Sequence, residues 1–449
     1  MRFALIVLLL VGACSGTEVL GYLEDWVNVK WWDNNIPGNC VMGCFEPAPY
    51  ITSLTPYSSV NYGFTFLTEN TSPDQVSCSN APNASGNSGP CPVWDGQAIY
   101  LARASTQGSA AITVSTTSPT PGIVSIGESS RMAKMHPDGP KRFKICLGGW
   151  SDFAAVGTTE NAVAIAKLMG QLVLWTFADG VDLDFEHLTP FATIPGDDEF
   201  TAYNALVKEL RNQLDTVVKP QWSTFAQTRK AQLQAEYNGL QPWQQSEMRP
   251  YYQTNMNFMD EVARNGPPYF EISWTTRFNA FLPPSNPRNY LLPTSPIPNV
   301  TFATDNEGAK IWPQSGQYFD TANIMAYDAG TDAGPLQLNF TTIMENFASY
   351  GNVPKSKISI GFEPGEQAGG GKWEGMDADK AWATYAEQNG YLGAFVWAVN
   401  PSPTSNPQGS TLAPQLANNL NQIMRPTWRW GPAPNYTKCD PTTGNWPGM

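Results

Sequence analysis

Between Asp179 and Glu186 the chain reads Asp-Gly-Val-Asp-Leu-Asp-Phe-Glu, an alternation of acidic and apolar residues that narrows the local structure to a strand. In a β-strand successive side chains point to opposite faces, so Asp182, Asp184 and Glu186 share one face and Val181, Leu183 and Phe185 the other. On a helix the same spacing scatters the acids by about 200° per step, and Asp and Gly are both poor helix formers. Burying the apolar face then aims three carboxylates at one place. Neighbouring like charges make one another harder to ionise, so one carboxyl of the row is expected to keep its proton near neutral pH. Glu186, last and most exposed in the row, is the expected general acid, with Asp184 and Asp182 standing behind it.

A protonated carboxyl at a strand end can protonate a leaving oxygen. Ordinary retaining glycosidases set a nucleophilic carboxylate about 5 Å across the sugar, and inverting enzymes hold a water in a wider gap. One strand cannot place a residue on the far side. The route left is one in which the substrate supplies the nucleophile, as a 2-acetamido group does by closing onto the anomeric carbon. The competing reading of the same acids is a calcium or magnesium cluster, or a solvated strand face.

The octapeptide resembles the DGxDxDxE motif of the family 18 glycoside hydrolases, the chitinases and their relatives, at every fixed position. The resemblance extends to Gly21, Tyr22 and Trp26 in a first-strand GYxxxW, to Asn61-Tyr62-Gly63-Phe64 in the second strand, and to Gly148-Gly149-Trp150 at the end of the third. Met325-Ala326-Tyr327-Asp328 is similar to the MxYD of the sixth strand, and Phe395-Val396-Trp397 to the end of the eighth. It implies a (β/α)8 TIM barrel with the acids on strand four, Glu186 as general acid/base, Asp184 orienting the acetamido group and Asp182 holding Asp184. Tyr327 and Asp328 would contact the substrate carbonyl and its surroundings, and Trp397 would floor the subsite beside the cut bond. Met325, Tyr22, Trp26 and Phe64 complete the implied substrate-binding set, and no cofactor or metal is implied.

Two departures stand out. Where the family has SxGG this chain has Cys146-Leu147-Gly148-Gly149, so a hydrogen bond behind the acid row is expected to be weaker or missing. Strand seven, Ile358-Ser359-Ile360-Gly361-Phe362-Glu363-Pro364-Gly365, lacks the family's PFYGR. About 12 residues separate it from the next helix, too few for an α+β insertion and consistent with an open groove suited to endo-acting enzymes.

Residues 1–16 read as a secretory leader whose apolar core is too short to span a bilayer, although Val11-Gly12-Ala13-Cys14 also fits a lipoprotein box that would lipidate Cys14. The expectation is a secreted, extracellular monomer. The formal charge of -13 argues against nucleic acid and leaves chitin or another N-acetylglucosamine-containing glycan as the expected partner. Only His136 and His187 are present, which excludes a His-rich zinc site, and no GxSxG elbow supports a serine hydrolase. His187, directly after Glu186, either tunes the acid or is a hydrogen-bonded loop histidine. Cys146, inside an expected strand, reads as a free core thiol. Of Cys40, Cys44, Cys78, Cys91 and Cys439, Cys78 with Cys91 is the preferred disulfide and Cys40 with Cys44 a tight alternative. Sequons occur at Asn70, Asn83, Asn299, Asn339 and Asn435.

Eight strand-like runs, at 19–23, 59–67, 143–147, 180–185, 270–274, 321–327, 358–362 and 393–399, alternate with helical patterns at 161–177, 197–217, 343–350 and 377–389. Residues 17–424 are thus expected to form one catalytic barrel, with long loop insertions after strand two (68–141) and strand four (219–266, Gln-rich and helical) and none after strand seven. A tail at 425–449 carries Trp428, Trp430 and Trp446 among prolines and either packs under the barrel or binds glycan. Trp26, Trp274 and one of Trp31 and Trp32 are further candidates for the groove. The sequence points to a secreted retaining endo-chitinase, the alternatives being an endo-β-N-acetylglucosaminidase cutting N-glycans and a non-hydrolytic chitinase-like lectin.

Overall fold

The computed structural model describes residues 17–24, 56–67, 98–101, 112–114, 121–135, 139–150, 154–186, 199–286, 306–327, 339–367, 372–401 and 406–426, with a few single residues between. Ten strands are formed: β1 (Glu18–Glu24), β2 (Ser59–Phe66), β3 (Ile99–Leu101), β4 (Ile112–Val114), β5 (Arg142–Gly148), β6 (Gly180–Asp184), β7 (Glu271–Arg277), β8 (Thr321–Met325), β9 (Ile358–Phe362) and β10 (Gly393–Val396). Eight are parallel and hydrogen-bonded in the order β1-β10-β9-β8-β7-β6-β5-β2, and the β1–β2 pairing closes the ring. This is the (β/α)8 barrel, and its eight strands coincide with the eight apolar runs of the sequence. β3 and β4 form an antiparallel hairpin on the end of β2, where Thr65 pairs with Leu101.

The helices are α1 (Pro121–Met135), α2 (Thr159–Thr176), α3 (Glu199–Gln213), α4 (Lys219–Asn238), α5 (Pro242–Asn265), α6 (Gly308–Ser315), α7 (Phe340–Ser349), α8 (Met376–Gln388) and α9 (Gly409–Met424). Local signals set several of their ends. Thr158 and Asn339 cap α2 and α7 by accepting the backbone N–H of Asn161 and Thr342. α1 falls inside the stretch read as a loop decoration, and its buried face explains why. That face carries Arg131 and Lys134 beside Ile123, Ile126 and Ala133, so the apolar stripe is interrupted by charge. Both cations find partners: Arg131 Nε donates to Asn255 Oδ1 at 2.8 Å and Lys134 Nζ to Asp179 at 3.1 Å.

The Gln-rich excursion is helical, as its composition suggests. α3 runs through a π-helical segment, Leu214–Val218, directly into α4, and α5 folds back so that Tyr237 stacks on Tyr252 at 4.1 Å. Trp222, Phe225 and Phe258 from this hairpin surround Phe177, which precedes β6, and Trp222 also meets Phe270, which precedes β7. The hairpin therefore seats on the amino-terminal rim of the barrel, opposite the end where such barrels place their sites. No helix among the described residues is long and apolar enough to cross a membrane. The leader, the tail and Cys40, Cys44, Cys78, Cys91 and Cys439 lie outside the described residues.

Trp274 is placed differently from the expectation. It lies on the outer face of β7, 1 % exposed, between Phe281, Trp312, Phe319 and Phe347, while its neighbours Ser273 and Thr275 face the barrel interior. Its indole is core. Trp274→Ala should cost about 3–5 kcal/mol in urea unfolding and leave affinity for sugar unchanged; weakened binding at unaltered stability would return this residue to the groove.

Candidate active site

β6 stops at Asp184 and the chain turns at Glu186, so the acid row rises from the barrel interior to its carboxyl-terminal mouth. Asp182 and Asp184 are buried and Glu186 is half-buried, while Val181, Leu183 and Phe185 enter the core on the other side. The two-faced strand of the sequence is present.

Asp182 lies where five donors converge. The Tyr22 hydroxyl donates to Oδ2 at 2.9 Å and the Cys146 thiol to the same oxygen at 3.2 Å. On Oδ1 it receives the Ser273 hydroxyl, Thr275 Oγ1 at 2.8 Å and Asn323 Nδ2 at 3.3 Å. Cysteine in place of serine thus does not remove the contact behind the row. Burial, with the charges of Asp182, Asp184 and Glu186, pushes the Cys146 thiol well above its ordinary range, so it stays an S–H donor. It is a free, buried thiol.

Asp184 has the opposite surroundings. Burial, followed by the charges of Glu186, Asp182 and Glu307, raises it well above the usual carboxylate range, against the pull of Arg277. Its Oδ1 is buried without a hydrogen-bond partner. Burial therefore gives Asp184 a claim on the row's proton that exposure alone would assign to Glu186. A close turn holds its backbone: Gly149 N donates to Asp184 O at 2.6 Å, and a Cβ on Gly148, at φ 114°, would stand 2.3 Å from that same oxygen. Only glycine fits there.

Facing the acids is a wall of rings. Tyr22, Phe64, Met325, Tyr327 and Phe395 form one cluster inside the barrel with Trp397 packed against it. Phe64 stacks on Trp397 at 5.6 Å, Tyr22 lies 5.6 Å from Trp397, and Tyr327 meets Phe395 edge-on at 6.3 Å. Carboxylates beside aromatic faces suit a pyranose, polar at its rim and apolar on its C–H faces. Trp150, 51 % exposed at the same mouth, lies under the Arg277 guanidinium at 5.4 Å.

Six of the predicted substrate and catalytic residues, Asp182, Asp184, Tyr22, Phe64, Met325 and Tyr327, are brought together in the barrel, with Glu186 and Trp397 beside them. Asp328, Trp26, Trp31, Trp32 and His187 lie outside the described residues. Ser273, Thr275 and Asn323 were not singled out in the sequence. The signal was their parity: each shares a strand face with residues that must point inward. No group of three or more His, Cys, Asp or Glu side chains among the described residues is arranged to hold a metal ion.

Solved structures similar to this chain are family 18 chitinases. A chitinase from Pseudoalteromonas aurantia matches 91 % of this chain and 100 % of its own, at 15 % identity and a TM-score of 0.48. One from Cycas revoluta, in complex with allosamidin, matches 90 % and 99 %, at 12 % identity and 0.45. The second catalytic domain of the Ostrinia furnacalis group II chitinase, in complex with a chitooligosaccharide, matches 91 % and 96 %, at 12 % and 0.48. No family model and no curated protein matches the chain. At such identities the chemistry rests on the residues of this chain.

The mouth also holds acids that burial makes hard to ionise. Glu24 is raised to about 8 by burial, and Asp152 to about 7 by burial against the N–H groups of Leu67 and Ala154. With Asp184, these groups bind protons more tightly folded than unfolded, so the stability they contribute is full below about pH 4 and is lost as pH rises through 7 to 8. The melting temperature should fall by roughly several degrees between pH 5 and 8. Glu24→Gln should flatten that slope in a thermal scan across pH; a slope unchanged in the variant would remove Glu24 from this account.

Proposed function

We propose that the protein is a secreted retaining endo-chitinase, cutting β-1,4-linked N-acetylglucosamine polymers by substrate-assisted catalysis. The observation that carries the reading is the unpartnered, buried Oδ1 of Asp184 beside Glu186, opposite a wall of aromatic rings. A buried acceptor without a donor is costly, and the N–H of a 2-acetamido group supplies the missing bond. Held there, the acetamide presents its carbonyl oxygen to the anomeric carbon.

The steps follow from these positions. Once the acetamide N–H occupies Asp184, the proton that the two acids share passes to Glu186, which gives it to the glycosidic oxygen while the acetamido oxygen attacks C1, so the C–O bond to the leaving sugar breaks as the oxazolinium ring closes. Asp184 holds the ring nitrogen's hydrogen, and Asp182 fixes Asp184 from below through an environment that is itself locked by five donors. The Tyr327 hydroxyl, by the resemblance of its motif, contacts the acetamido carbonyl. Water, deprotonated by Glu186, then opens the ring from the face the leaving group vacated, returning the original β configuration. The short link between β9 and α8 supports an open groove and internal cleavage. The leader-like start of the chain supports export.

Glu186→Gln should lower kcat on chitin oligomers by roughly 10²–10⁴ while leaving their binding intact in calorimetry. In the unmodified protein, NMR should show the β-anomer of the product first, and fully N-deacetylated oligomers should resist cleavage. Prompt release of the α-anomer, or cutting of deacetylated chains, would overturn substrate assistance. Turnover of a high-mannose glycopeptide in preference to chitin oligomers would move the substrate to N-glycans, and binding without turnover of either would make the barrel a lectin.

A further inference from the structure

Below the acid row the barrel interior is charged. Strand alternation turns Arg142, Lys144 and Cys146 of β5 inward, and Glu271, Ser273 and Thr275 of β7. The register aligns Cys146 with Asp182 and Asp182 with Ser273 in one layer, and Gly180 with Glu271 in the layer beneath. Lys144 on β5 reaches across β6 to β7. Its Nζ lies 3.1 Å from Ser273 Oγ and 3.5 Å from Glu271 Oε1. Ser273 in turn donates to Asp182 Oδ1.

A fully buried ammonium costs several kcal/mol to desolvate, and Glu271 is already paired with Arg142. Burial pulls Lys144 down, yet Glu271, Glu18 and Asp182 together hold it above its ordinary value, against Arg142. The cation persists. Each ammonium proton given to Ser273 Oγ polarises the hydroxyl that this residue gives to Asp182, and such chains strengthen one another in a low-dielectric interior.

We propose that Lys144 is a positioning residue of the catalytic row, acting through Ser273 to hold Asp182 in its acceptor state beneath Asp184. This rests on the reading of Asp182, Asp184 and Glu186 as the reacting acids. The other titratable groups near Asp182 are Tyr22 from β1, Cys146 from β5, Asp184 on its own strand and Tyr203 from α3. Glu186, Glu307 and Arg277 act on Asp184, and Glu18, Glu271 and Arg142 on Lys144. Among these, Lys144 is the cation joined to Asp182 by a single hydroxyl.

The test compares Lys144→Met with Ser273→Ala, which leaves every charge in place. Both should lower kcat roughly tenfold with KM nearly unchanged, and both should displace the acid limb of the pH profile in the same direction. The double variant should do little more than either single one. The carboxyl chemical shift of Asp182 in ¹³C-labelled protein, assigned with Asp182→Asn, should change alike in both variants without any substrate. That separates the two claims: an unmodified protein that cuts no glycan defeats the functional reading, while the carboxyl signal still reports on Lys144. An unmoved acid limb and carboxyl signal in Ser273→Ala, or full restoration of Lys144→Met by Glu271→Gln, would reduce Lys144 to a counter-charge for Glu271.

Discussion

The hydrogen bonds that converge on Asp182 are the constraint around which the barrel interior is built. A carboxylate this deep is tolerable only if its lone pairs are met, and meeting them recruits β1 through Tyr22, β5 through Cys146, β7 through Ser273 and Thr275, and β8 through Asn323. Strands from around the ring are thereby tied to one atom pair. The register that satisfies Asp182 also lifts Asp184 and Glu186 toward the mouth, so the positions of those two acids follow from the needs of the third.

Seen from the structure, the acidic octapeptide has two halves with different work. Asp179 lies apart from the acid row: it accepts the Phe143 N–H at 2.8 Å and pairs with Lys134, docking α1 and β5 at the start of β6. Gly180 lets β6 and β7 approach closely: at φ 151° a Cβ there would come 1.9 Å from Glu271 O. The first two residues anchor the strand, and the three acids of the row stand toward its other end.

The eight strands were legible because each is an apolar run between turn signals, and the acid row because its parity admits one face. What escaped were cases where polarity and burial part company. α1 buries Arg131 and Lys134, so its periodicity was hidden by residues that ordinarily mark a surface. Lys144 sits two residues before Cys146 on a strand read as apolar, and only its shared parity with that cysteine could have turned it inward. Trp274 erred the other way: an aromatic residue on a barrel strand invites a sugar, but it has odd parity relative to Ser273 and Thr275 and faces the helices. The same parity rule that decoded the motif, applied to every barrel strand, would have recovered Ser273, Thr275, Asn323 and Lys144 together.

The ring closes where β1 slots between β2 and β10, with Glu18 beside Gly393 and Gly21 beside Val396. The first strand of the barrel to leave the ribosome thus waits for nearly the last before one of its edges is covered. Until then it presents a row of open backbone groups beside a buried-type, apolar sequence, the situation in which strands pair with the wrong neighbour. The wait is paid in time spent exposed, since contacts so distant along the chain are slow to form. Closure also brings Asn421 of α9 to the carbonyl of Pro56, at 2.7 Å, a latch between the last described helix and the entry to β2.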